Sequence, residues 1–194
     1  MLFRSHRRRL LEKLAALTFV ALGASPLLSQ NLPTQNLPVL GGSGGTAFSR
    51  DCGAGHVLSG LRYRSGAVVD AIGLLCRPIL SNGSLGPEST SGTLSGGGGG
   101  TTNVASCPSG TVVSGLRVRY GSYVSYVIIT CRSWRADTRT YASSGGTAVS
   151  LGSVLTPSSA TTDEACESTR QPGAGIRGRA ASFVDALGLV CDEP

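Results

Sequence analysis

Residues Cys52 to Cys76 read CGAGHVLSGLRYRSGAVVDAIGLLC, and the chain writes this text twice more. Cys107 to Cys131 reads CPSGTVVSGLRVRYGSYVSYVIITC, and Cys166 to Cys191 reads CESTRQPGAGIRGRAASFVDALGLVC. The bounding cysteines stand 24, 24 and 25 residues apart. An offset of 55 carries Gly60, Leu61, Arg62, Arg64, Gly66 and Val69 onto Gly115, Leu116, Arg117, Arg119, Gly121 and Val124. A further offset of 60 leads to Gly175, Ile176, Arg177, Arg179 and Val184. One such match is weak; three in register define an internal repeat. The copies span 41–79, 96–134 and 145–194, and a glycine strip opens each: Gly41 to Gly45 (GGSGG), Gly96 to Gly100, and Gly145-Gly146. GGTAFS (44–49) also recurs as GGTAVS (145–150).

Each copy reads as β. Val57-Leu58, Leu61 to Arg64 and Val68 to Cys76 alternate or run apolar in short pieces, and Ser65-Gly66 and Tyr120-Gly121 are turn signals. Residues 80–95 and 133–144 read as linkers, with Ser81 to Ser95 an exposed loop. Units of this size bury too little alone and must share one core. A closed three-fold arrangement achieves that and leaves few exposed strand edges. The simplest disulfide pattern lies within copies, Cys52–Cys76, Cys107–Cys131 and Cys166–Cys191, although six cysteines allow other connectivities. Each bridge would stabilise by about 3 to 4 kcal/mol in the chain-entropy model.

The chain has 194 residues, of which 14% are charged, too few for charge-driven disorder. Its net charge of +6 is concentrated at one end: the first 30 residues hold five of the 17 basic residues and one of the 11 acids. The remainder is near +2 and contains no lysine, which argues against a nucleic-acid partner. Residues 1–30 read as a signal peptide, with a basic run to Lys13, an apolar stretch Leu14 to Gly23 and small residues at Ala21, Gly23, Ala24 and Ser25. Cleavage falls between 23 and 30. The apolar stretch is short for a span of about 20 residues, so no membrane attachment is expected after cleavage. Arg7-Arg8-Arg9-Leu10-Leu11 also resembles a twin-arginine export signal. Residues 31–40 (NLPTQNLPVL) read as a Pro-containing leader, extended and mobile. A secreted or periplasmic location follows, where an even cysteine set oxidises.

The glycine opening, then Cys-x-x-Gly-x-x-x-x-Gly-Leu-x-x-Arg, then Gly-x-x-Val-Asp-Ala-Ile/Leu-Gly-Leu-x-Cys, resembles the vitelline membrane outer layer protein family. It is also similar to jacalin-related lectins, whose GG-rich start and G-x-x-ID-S-I segment correspond to Gly44-Gly45 and Gly66 to Ile72. The resemblance covers residues 41 to 194. It implies an all-β chain of the β-prism I fold: three antiparallel sheets about a pseudo-three-fold axis, with Leu61, Leu116 and Ile176 buried in equivalent places. Fold alone does not assign function.

Three sets of residues carry candidate chemistry. Arg62/Arg64, Arg117/Arg119 and Arg177/Arg179 share a strand face at i and i+2. They are either guanidinium sites for acidic sugars or phosphates, or an outward polar row. Asp70 and Asp185 occupy equivalent positions after a turn, with Ser125 in the second copy. A carboxylate accepts two hydroxyl hydrogen bonds, and glycine-strip amides supply donors, so the pair suits a sugar; the alternative is a turn-holding acid. The expected ligand site places Gly44 and Gly45 beside Gly66 to Asp70, with Asp185 at the related position. Tyr120, Tyr123, Tyr126 and Trp134 are the candidate stacking platforms. His56 is alone beyond the signal, so neither a Ser/His/Asp triad nor a metal site is expected, and no cofactor is implied. A glycosidase pair of Asp70 with Asp185 is disfavoured because symmetry puts them on different faces. The expected function is a non-catalytic, lectin-like module whose partners are glycans or cell-surface polysaccharide. The alternatives are a secreted coat protein without small ligand and a weak glycan transferase or hydrolase.

Overall fold

The computed structural model describes residues 31–154 and 160–194; the signal peptide read at 1–30 lies outside the described residues. Along the chain run β1 (Gln35–Asn36), β2 (Leu40–Gly41), β3 (Thr46–Asp51), β4 (His56–Ser65), β5 (Val69–Pro78), β6 (Ser89–Gly96) and β7 (Thr101–Ser106). They are followed by β8 (Thr111–Tyr120), β9 (Val124–Arg135), β10 (Thr140–Tyr141), β11 (Thr147–Gly152), β12 (Ala160–Ala165), β13 (Gly173–Ala180) and β14 (Val184–Cys191). No described residue is helical.

The three copies form the hairpins β4–β5, β8–β9 and β13–β14, each the centre of an antiparallel sheet. In the first sheet β6 pairs with β5 and β7 with β4. In the second, β11 and β10 pair with β9 and β12 with β8. In the third, β1 and β2 pair with β14, and β3 with β13. This is the β-prism I fold. Leu61, Leu116 and Ile176 are all buried in one shared core, as their register predicts, each worth about 1.5–3 kcal/mol on burial.

The hairpins also share their irregularities. Each skips one residue near its start, between Leu58/Gly60, Val113/Gly115 and Gly173/Gly175. The freed carbonyl of that residue accepts the N–H of the next copy's first cysteine: Cys107 N to Ser59 O (2.8 Å), Cys166 N to Ser114 O (3.0 Å) and Cys52 N to Ala174 O (2.8 Å). The bulges therefore link the copies head to tail around the prism.

The disulfides are Cys52–Cys76, Cys107–Cys131 and Cys166–Cys191, with Cα separations of 5.7, 5.6 and 5.8 Å. They lie within copies in sequence but between sheets in space. Cys52 follows β3 of the third sheet and meets β5 of the first; Cys107 follows β7 and meets β9; Cys166 follows β12 and meets β14. Each bridge fixes one corner.

Several segments differ from the sequence reading. The leader at 31–40 supplies β1 and the start of β2, and Leu37 is buried. The Ser81 to Ser95 loop contains most of β6, and the 133–144 linker contains the end of β9 and all of β10. Gly- and Ser-rich composition hid β6 because its side chains cover an exposed edge and need no apolar alternation. GGTAFS and GGTAVS are not equivalent: the first enters β3 against the hairpin's leading strand β13, the second enters β11 against the trailing strand β9.

Candidate functional site

The outer strands of each sheet sit on opposite edges of its hairpin, so the segment joining them must cross above the hairpin turn. Gly97 to Gly100 joins β6 to β7 and crosses the turn between β4 and β5. Gly42 to Gly45 joins β2 to β3 and crosses the turn between β13 and β14. The crossing starts identically in all three sheets: Gly97 N donates to Asp70 O, Gly42 N to Asp185 O, and Ser153 N to Ser125 O, at 2.9, 2.9 and 2.8 Å.

Glycine is demanded here by what lies beneath. A Cβ on Gly99 would strike Asp70 Oδ1, and one on Gly44 would strike Asp185 Oδ1. Gly100 and Gly45 have φ of +63° and +62°, and a Cβ on either would come within 2.5 Å of the same carboxylate's Oδ2. In the second sheet, where Ser125 replaces the acid, the crossing segment begins Gly152-Ser153-Val154 and is not glycine-rich. Acid and crossing glycine strip thus occur together in the first and third sheets and are absent together from the second.

The expected grouping of Gly44 and Gly45 with Asp70 is therefore corrected. Gly44 and Gly45 sit on Asp185; Asp70 lies under Gly99 and Gly100, with Gly66 on its other side at 3.8 Å from Oδ2 to the position of a Cβ. The five candidate residues belong to two sites. The strip Gly96 to Gly100 closes the first sheet and the strip Gly41 to Gly45 closes the last, whereas Gly146 lies beside Thr130 to Arg132, at the far end of β11 from Ser125.

Asp70 and Asp185 are 6% and 5% exposed, and Oδ2 of each is buried without a hydrogen-bond partner among the described residues. A buried carboxylate oxygen left unpaired costs the desolvation of that group, about 1–3 kcal/mol or more.

The second arginine of each pair holds the crossing segment in place. Arg64 Nε donates to Gly99 O (2.7 Å), and its Nη2 to Gly98 O and Gly100 O (2.7 and 2.9 Å). Arg179 Nε donates to Gly44 O and its Nη2 to Gly45 O, both at 2.7 Å. Glycine-strip carbonyls are thereby turned towards the guanidinium. The first arginines behave differently: Arg117 forms a two-pronged pair with Asp163, holding that carboxyl below its usual range.

Of the four candidate platforms, Tyr123 stands at the turn end, 41% exposed, with its ring centroid 4.9 Å from that of Phe183. Phe183 is two residues from Asp185, so the third sheet's site has an aromatic pair beside it. The corresponding turn residue of the first copy is Val68. Trp134 instead donates its Nε1–H to Gly83 O, and Tyr120 packs against the core. His56 Nδ1 lies 2.9 Å from Ala54 O in its own exposed turn. Among the described residues no three His, Cys, Asp or Glu groups cluster as a metal site requires.

No family model matches the chain, and no curated protein matches it by sequence. Solved structures do. Malaysian banana lectin superposes with a TM-score of 0.55 at 18% identity, over 84% of this chain and 100% of the lectin. A mannose binding jacalin related lectin from Ananas comosus gives 0.55 at 20% identity, over 83% and 99%. Calystegia sepium agglutinin gives 0.54 at 16%, over 84% and 99%. The chain has the β-prism I fold that these jacalin-related lectins share.

Proposed function

We propose that this protein is an exported, non-catalytic lectin that binds glycans at the crossing-loop end of the prism. Asp185 with Gly44 and Gly45 forms the principal site, and Asp70 with Gly66, Gly99 and Gly100 the related one. The observation that carries this reading is the repeated pairing of a buried carboxylate, with one partnerless oxygen, and a glycine strip held over it by arginine. A carboxylate with unused lone pairs accepts from a sugar diol, while strip amides donate without side chains in the way. Tyr123 and Phe183 supply an apolar face for a sugar ring at the Asp185 site. The mannose binding of the Ananas comosus protein, on the same fold, supports a carbohydrate ligand. Residues 1–30 serve as the export signal, and three disulfides suit the oxidising compartment reached.

The near-complete burial of both acids favours a second reading, a secreted coat protein in which they only shape the loops. A glycan array on purified, disulfide-intact protein separates the two. Under the lectin reading the wild type binds a defined subset of glycans, and Asp185→Ala abolishes most of that binding with little change in Tm, since it removes an unpaired buried group. Asp70→Ala weakens it less. Absence of any glycan signal, with Asp185→Ala unfolding early, assigns the acids to the coat protein's architecture and defeats the lectin reading.

A further inference from the structure

The first arginine of each pair faces outward from an equivalent strand position, yet the three meet different surroundings. Arg117 is opposite Asp163 in the strand register and pairs with it. Arg62 is opposite Val104 and reaches Gly92 O at 3.4 Å. Arg177 is opposite Ser49, which offers no charge, and makes no hydrogen bond or ion pair among the described residues. Asp51, the acid further along the same strand, accepts from Gly53 N.

Arg177 also lines a cavity of about 570 Å³ on the outer face of the third sheet. Val39 and Asn36 bound it on one side and Ala47 and Ser49 on the other. Arg179 lines it too, and the same Arg179 holds Gly44 and Gly45 over Asp185. The groove and the proposed sugar site therefore adjoin through one side chain. Arg177 lies two residues down β13 from Arg179 on the same face, about 7 Å at the rise of a strand.

We infer that this groove is an extended subsite for an acidic sugar, with the Arg177 guanidinium pairing the carboxylate of a hexuronic acid linked to the residue held at Asp185. This inference rests on the lectin reading above. A free guanidinium presents a planar fork that matches a carboxylate in two parallel hydrogen bonds. The groove is open to solvent and holds no acid, so Arg177 and Arg179 together give it a positive lining that favours a carboxylate. The small side chains of Ala47 and Ser49 leave room for a ring beside it.

The test is binding of neutral oligosaccharides and of their counterparts carrying one hexuronic acid, to the full disulfide-bonded protein and to Arg177→Gln. The wild type should bind the acidic member of a pair about tenfold more tightly, a preference that fades as salt rises to about 1 M. Arg177→Gln should erase the preference while keeping neutral-glycan affinity and Tm, because Arg177 has no partner to lose among the described residues. Equal binding of both members by the wild type, or an acidic preference untouched in Arg177→Gln, overturns the subsite and leaves the lectin reading standing. Binding of neither member overturns the lectin reading, and the subsite falls with it.

Discussion

Gly44 and Gly99 test the site at the level of single atoms. Neither has a positive φ in the left-handed range, and the three atoms nearest a Cβ on either all belong to the side chain of Asp185 or Asp70. Replacing either by alanine adds one methyl group against a short, buried side chain that has little room to retreat. Overpacking of that kind costs about 1–3 kcal/mol. Gly44→Ala should therefore destabilise, and the cost should largely vanish in a Gly44→Ala/Asp185→Ala double variant. A coupling of about 1–3 kcal/mol in the double-mutant cycle, measured by denaturant unfolding, is the expected result. Additivity within about 0.5 kcal/mol would mean that the loop does not rest on the acid. Gly53→Ala provides the comparison: φ is +82° but nothing lies within 4 Å of its Cβ, so it carries conformational cost alone.

At the scale of elements, the hairpins were legible because their apolar residues and cysteines recur in register. Leu61, Leu116 and Ile176 announce three equivalent core positions before any coordinate is known. Their outer strands were not legible. β6 (STSGTLSG) and β12 (ATTDEA) lie at sheet edges, where side chains face water and show no periodic apolar signal. The partner of each glycine strip was hidden for a related reason, since sequence order does not say which sheet a strip closes. The structure sets Gly96 to Gly100 over the acid that precedes it in sequence and Gly41 to Gly45 over an acid far along the chain, Asp185. The disulfides were legible in pairing but not in role, because only the strand order reveals that each spans a corner. Their loops are nearly equal in length, so removing any one pair, as in Cys107→Ala/Cys131→Ala, should cost a similar amount, about 3 to 4 kcal/mol. Calorimetric or denaturant unfolding of the three double variants checks this. One pair costing several kcal/mol more than the others would show that the corners are not equivalent.

For the whole molecule, the decisive feature is that the third sheet is built from both ends of the described chain. Gln35 and Asn36 lie opposite Cys191 and Val190, and Leu40 and Gly41 opposite Leu187 and Ala186. Without these residues the trailing edge of β14 is bare and the pocket filled by Leu37 is open to water. Ile176, Leu187 and Leu189 on that sheet share one core with Leu61 and Leu116 on the others. Loss of the edge should therefore not melt one sheet alone. Deleting residues 31–40 should lower Tm by several degrees while unfolding remains a single transition, with hydrogen exchange rising in all three hairpins together. The head-to-tail hydrogen bonds from Cys52, Cys107 and Cys166 give the same expectation, because each copy's bulge carbonyl depends on its neighbour. Faster exchange confined to β13 and β14, with the other hairpins as protected as in the intact protein, would contradict this: the third sheet would then be an independent unit, and the loop ends that carry Asp70 and Asp185 would be stabilised separately.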